Sequence, residues 1–286
     1  MTTTATPGDV SGGRVREEWS SDRAYGLLYK LRELWRFRDL LWALSFRSIK
    51  GRYKQSVLGI AWAVVQPLAM MVIFTIVFGK FAKVDTGTIP YPIFSYAALL
   101  PWQLFQNVVT KGTTSIVDNG SIVKKLYFPR EVCALSVVFS SLVDFAVAGI
   151  MLGILMIIFR VSPSVYILWL PVILLVQLLF SLGLAFFLSA VNAFYRDISF
   201  GVPLVLQVWM YLSPVAYPIS TVPERYRDLY MLNPMAPIID SFRQILVNRQ
   251  PPDWTMLWPG VAISVVVLVF GYWYFKRSEG TFADVL

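Results

Sequence analysis

An all-α membrane protein with about six transmembrane helices is the fold class this sequence predicts, and three observations carry that prediction. Of the 286 residues, 57% are hydrophobic and only 15% are charged, a composition far from that of a soluble domain. Apolar runs of roughly 20 residues, enough to cross about 30 Å of hydrocarbon, recur with short polar punctuation between them. The basic residues are unevenly spread. Arg14, Arg16, Arg23, Lys30, Arg32, Arg36, Arg38, Arg47, Lys50, Arg52 and Lys54 all precede the first long apolar run, where positive charge holds a segment on the cytoplasmic side.

The elements follow in order. Residues 1–22, rich in Thr, Ser, Gly and charge, lack the basic and then apolar pattern of a cleaved signal and are expected to form a flexible cytoplasmic tail. Residues 23–56 read as a cytoplasmic interfacial region. Leu27, Leu28, Leu31, Leu34 and Trp35 recur there at helical spacing with Lys30, Arg32, Glu33 and Arg36 between them. Such an amphipathic helix suits the membrane interface, with packing on soluble protein as the alternative. Residues 39–50 are expected to be helical too, but Trp42, Phe46 and Ile49 lie apart from Leu40, Leu41 and Leu44 on a helical wheel, so the buried face stays open.

The membrane domain is expected over 57–275. Its first span, 57–79, has one uncharged interior with Pro67, which predicts a kink near Gln66. The second, 89–110, carries Pro90, Pro92 and Pro101 and is expected to be irregular. The stretch 111–131, with Lys111, Lys124, Lys125 and Arg130, reads as a cytoplasmic loop. Spans three and four, 132–159 and 165–191, form a hairpin around Pro163. The chain returns through 192–198, and span five, 199–217, ends at Pro214 and Pro218. Residues 220–254 are too polar to span and are expected to form two short outer helices, amphipathic or re-entrant. A last span, 255–275, leads to a cytoplasmic tail, 276–286. This arrangement places most of the 25 Lys and Arg residues and both termini on the cytoplasmic side.

Composition also excludes chemistry. The formal charge of +8 invites a nucleic-acid reading, but the topology rule accounts for it, so no nucleic-acid partner is expected. Cys133 is the only cysteine and histidine is absent. That removes an intramolecular disulfide, a cysteine metal cluster, the usual general base at neutral pH and the commonest metal ligand. No Gly-x-x-x-x-Gly-Lys-Ser/Thr loop occurs, so this chain is not expected to hold ATP or to be an enzyme.

Four stretches carry a resemblance. They are YKQSVLGIAWAVVQP at 53–67, NGSIVKKLYFPRE at 119–131, NAFYRDI at 192–198 and NPMAPIIDSFRQIL at 233–246. Together they resemble the permease subunits of ABC exporters that move polysaccharides, teichoic acids and O antigens, over most of 37–275. The resemblance implies six spans with two short outer helices before the last. It also implies a homodimer of this chain joined to two ABC ATPase subunits, which bind the ATP and Mg. The complex would move a lipid-linked glycan outward across the inner (cytoplasmic) membrane. The alternative is a permease of the same fold exporting a drug or another lipid. By the same resemblance Val123, Lys124, Lys125, Tyr127, Phe128 and Arg130 become ATPase-coupling candidates, against a plain solvated loop. Asn233, Pro234, Phe242 and Arg243 become outer-gate candidates.

A glycan cargo points to further residues. Sugar C–H faces pack on aromatic rings, which makes Phe74, Trp102, Phe105, Trp209 and Tyr211 channel-lining candidates, although interfacial aromatic belts explain such residues as well. An anionic lipid head group calls for cations at the cytoplasmic entrance. Arg47, Lys50, Arg52 and Lys54, beside Leu58 and Gly59, meet that need, as does simple attraction to anionic membrane lipids. Asp144 sits deep in span three, where insertion costs roughly 2.5 to 3.5 kcal/mol, so it must bond a neighbouring helix or line the transport path. An ion-coupled transporter would need more such groups, and a membrane glycosyltransferase would need an acid–base pair that is not evident.

Overall fold

The computed structural model describes residues 35–53, 59–87 and 89–285, and among these every regular element is a helix. The amphipathic stretch expected over 23–35 lies outside the described residues except for Trp35, as do Lys54 and Leu58. Helix α1 (Arg38–Tyr53) packs along one end of the bundle. Its buried face is set by Leu44 and Ser45, the latter donating to the Leu41 carbonyl at 2.7 Å and the Ser136 carbonyl at 3.3 Å. Trp42 and Phe46 stay exposed, with Trp42 against Phe139.

Among the described residues, four helical segments are long and apolar enough to cross a membrane: Gly59–Phe81, Glu131–Ile158, Val165–Phe194 and Trp254–Thr281. The first enters through Gly59, whose φ of +50° favours glycine. It continues as α2 (Trp62–Phe74) and loosens to π winding over Thr75–Phe81. The loss of regular winding therefore falls beyond Pro67. Helix α3 (Tyr91–Asp118) corrects two expectations. It is one continuous helix rather than an irregular one, because Pro90 precedes it and Pro92 lies in its first turn, where no intrahelical N–H bond is lost. It also runs through Lys111 to Asp118, so the loop begins only at Asn119.

A short turn of helix, α4 (Gly120–Val123), leads to α5 (Glu131–Ile158). A tight link and a 3-10 turn, Val165–Trp169, introduce α6 (Leu170–Phe194). Helix α7 (Ile198–Tyr211) has 14 residues, roughly 21 Å of helix, and stops short of the expected end because Pro214 disfavours helical backbone before it. Then come α8 (Glu224–Tyr230), α9 (Met235–Arg243) with a π turn at Gln244–Asn248, α10 (Trp254–Ser278) and a final turn α11 (Phe282–Val285).

Helix α3 is the hub and packs on α2, α5, α6, α7 and α9. Ile93, Tyr96, Ala97, Ala98, Phe105 and Val108 have no exposed surface. The outer helices instead present apolar faces, as with Ile150, Ile154 and Ile157 of α5 and Val266, Val269 and Phe270 of α10, the surface that lipid requires. Helices α6 and α10 meet at their closest where Gly183 faces Gly271. A Cβ on Gly271 would lie 2.1 Å from the Gly183 carbonyl oxygen, so backbone contact here depends on small residues. Helix α9 is not amphipathic on a surface: Met235 to Ile239 and Ser241 to Arg243 are all buried.

Candidate functional site

Four places gather the residues singled out by sequence. At the α1 end, the turn after α4 exposes Lys124, Lys125, Leu126 and Tyr127, while Val123 and Phe128 on either side are buried. The anchors sit in one apolar cluster with Leu44, Ile116, Phe186, Phe275 and Phe282. Arg130 donates to the Glu279 carbonyl and lies over the Phe282 ring. Next to it, the buried Glu131 carboxylate meets Lys276 at 2.6 Å and accepts from Tyr272 at 3.1 Å, and Lys276 also meets Glu279 at 2.7 Å. The turn is thus clamped to the end of α10, a tie that the local motif did not reveal because Tyr272, Lys276 and Glu279 come from the other end of the chain.

Of the head-group set, Arg47 and Lys50 are exposed on α1, and Arg47 also donates to the Asn119 side chain at the junction of α3 and α4. Asn119 in turn donates to the Ser115 carbonyl at 2.7 Å. Side-chain positions of Arg52, Lys54 and Leu58 lie outside the described residues, and Gly59 opens the first span.

Among the aromatic candidates, Trp102, Phe105 and Trp209 come together. Phe105 stacks on Phe180 at 5.4 Å between ring centres, Trp209 meets its edge at 5.4 Å, and Trp102 lies 5.3 Å away. Trp102, Phe105 and Phe74 are buried among the helices, and their rings fill the bundle interior. Tyr211 stands apart and exposed.

Asp144 finds a partner on a neighbouring helix. It is buried, pairs with Lys111 of α3 at 3.6 Å, and forms part of the wall of a cavity of about 290 Å³. Trp62 and Gln66 from α2, with Gln103 and Asn107 from α3, complete its polar side. Gln103 donates to Gln66 at 3.4 Å. The spacing of Gln103, Asn107 and Lys111 at i, i+4 and i+8 is a legible one-face signal, hidden when the span is ended at 110.

At the far end, Arg243 is buried and donates to the carbonyls of Phe94, Tyr217 and Val215 at 3.3, 3.2 and 2.5 Å. Its guanidinium lies 3.8 Å from the Phe94 ring centre. Burial pushes it down to about 10, against the pull of nearby Asp240, so it stays charged at neutral pH. Asn233 accepts from the Trp209 indole and donates to Ser213, each at 2.9 Å. Pro234 and Phe242 are buried, and Phe242 meets Phe145 edge to face. These four residues lock α9 to α3, α5, α7 and the 212–217 turn.

Comparison with known proteins places the chain in a family. Residues 39–247 match the family described as ABC-2 type transporter. The chain is 33% identical over 257 residues to the O-antigen export system permease protein RfbA of Myxococcus xanthus, covering 89% of this chain and 98% of that one. It is 32% identical to an RfbA of Klebsiella pneumoniae, covering 87% and 95%, and 20% identical to the polysialic acid transport protein KpsM of Escherichia coli, covering 83% and 92%. With most of its length matched, this membrane chain belongs to the ABC-2 type transporter family.

Proposed function

We propose that this chain is the permease of an ATP-driven exporter that carries a lipid-linked polysaccharide from the cytoplasmic to the outer side of the inner membrane. The observation that carries this reading is the similarity to O-antigen export permeases over 98% of a relative's length. The chain itself offers no phosphate loop, so the motor is a separate ABC ATPase, present in two copies with its ATP and Mg, on a homodimer of this chain.

The α1 end is the cytoplasmic one in this reading. Arg38, Arg47, Lys50, Lys124, Lys125, Arg130, Lys276 and Arg277 gather there, as the positive-inside bias requires. Both termini are then cytoplasmic, and α3 and α7 join the four apolar segments to make six spans. The exposed turn at Lys124 to Tyr127 docks on the ATPase. Because Phe128, Arg130 and Glu131 tie that turn to α5 and α10, movement of the ATPase surface is passed to two spans at once. Arg47 and Lys50 meet the anionic head group of the cargo at the same end. At the outer end, Arg243 and Asn233 hold α9 as the plug that must shift for cargo to leave.

Depletion of the protein in its native cell tests the reading. A specific lipid-linked polymer should accumulate inside while surface glycan falls, as measured by mass analysis of extracted lipids. Unchanged glycans would overturn the polysaccharide reading in favour of a drug or lipid exporter of the same family.

A further inference from the structure

Resting on that reading, we propose that the cavity between α2, α3 and α5 is a saccharide subsite on the transport path. It takes one neutral, hydroxyl-rich sugar unit of the passing chain at a time. Gln103, Asn107 and Lys111 occupy three successive turns on one face of α3. The line continues to Thr114 and Asp118 at the α1 end, where the Thr114 hydroxyl donates to Asp118 at 2.6 Å. A polar ladder therefore runs from mid-helix to the proposed cytoplasmic end.

Amide side chains at membrane depth are costly unless they find hydrogen-bond partners. Here the Gln103 to Gln66 bond is long, at 3.4 Å, which leaves amide groups on the cavity wall with capacity for hydroxyls. The charges at the cavity cancel, since Lys111 and Asp144 pair within it. A wall of dipoles with no net charge favours a neutral polyol over an ion. Trp62 is 45% exposed at the rim and offers a flat ring to sugar C–H groups.

The volume of about 290 Å³ is roughly ten times the ~30 Å³ share of one water and close to the ~300 Å³ floor of small-molecule sites. That is too large for a single structural water and sized for one sugar unit. The cavity is also joined to the far end. Phe145 of its wall meets Phe242 of α9 with ring centres 6.3 Å apart, so an occupant would touch a side chain that contacts the plug.

Thiol accessibility in the full protein tests the proposal. Gln103→Cys and Asn107→Cys are made in a Cys133→Ala background and probed in native cells with a small hydrophilic thiol reagent. Labelling is expected in cells that cannot make the glycan and to fall several-fold in cells that make it. Equal labelling in both would show a water-filled crevice with no sugar in it, and no labelling in either would show a closed structural contact. Either result overturns the subsite. In parallel, Trp62→Ala, Gln103→Leu and Asn107→Leu should lower surface glycan about tenfold at unchanged protein level, with Trp62→Phe close to wild type. Variants that export normally while deletion of the protein abolishes export would overturn the subsite alone. Deletion that leaves glycan untouched would overturn the export reading beneath it.

Discussion

At the α1 end, Lys124, Lys125, Leu126 and Tyr127 stand exposed on a turn held by buried flanks. At the far end, Pro234, Phe242 and Arg243 are drawn wholly inside and Asn233 half inside. Both stretches stood out in the sequence as short polar and aromatic motifs, and both belong to helices flanking the spans. The difference teaches that a charged residue in such a motif has two opposite uses. An exposed cation on rigid anchors can be offered to a partner at little cost to the fold. A cation buried on three carbonyls and a ring is part of the fold itself, and its removal leaves acceptors unpaired.

Substitutions at the two ends should separate these uses, and their effects on stability fall in a definite order. Arg243→Ala strands the carbonyls of Phe94, Val215 and Tyr217 and should destabilise the purified protein by about 3 to 5 kcal/mol, read as a large drop in thermal midpoint and in membrane yield. A midpoint within a degree of wild type would mean that α9 is not locked there. Phe128→Ala removes a ring buried to 4% exposure and should lose about 3 kcal/mol. It would make the anchored side of the turn behave like the far end.

Asp253→Ala comes next. This carboxylate caps α10, accepting from the Thr255 amide at 3.0 Å, the Thr255 hydroxyl at 2.6 Å and the Met256 amide at 3.4 Å. Those bonds hold its carboxyl below the usual carboxylate range, and the loss should be about 1 kcal/mol in the same melting assay. A depressed carboxyl contributes stability above its unfolded value that fades as pH falls through the folded one. The gap between wild type and Asp253→Ala should therefore close on acidification. The smallest effect on stability belongs to the triple variant Lys124→Glu, Lys125→Glu, Tyr127→Ala, which should stay within about 0.5 kcal/mol of wild type. It should nevertheless lose co-purification with the ATPase and glycan export, and retention of both would break the contrast between the two ends.

Much of the architecture was legible residue by residue. The apolar runs at 57–79, 132–159, 165–191 and 255–275 correspond to the four apolar segments within a few residues, because length and hydropathy alone decide whether a segment suits hydrocarbon. Helix α3 was harder to read. Its prolines argued for irregularity, yet two of the three fall where a helix loses no bond, and the part of its polar ladder from Lys111 onward read as a loop. That ladder keeps to one face, so its polar residues do not interrupt the helix. The segment 233–246 carried apolar and charged residues in an amphipathic pattern, and the burial of most of it, Arg243 included, was not legible until Arg243 found acceptors.

What the sequence by itself determined is the membrane class, the apolar spans, the crowding of positive charge toward one side and the absence of a phosphate loop, since each depends on local composition. The tertiary structure decided which polar groups meet. Arg243 lies 149 residues from the Phe94 carbonyl it binds, Glu131 lies 141 from Tyr272, and Asp144 finds Lys111 on a neighbouring helix. A buried charge is stable only with a partner, and partners from distant helices are set by how the helices pack, which no local pattern encodes.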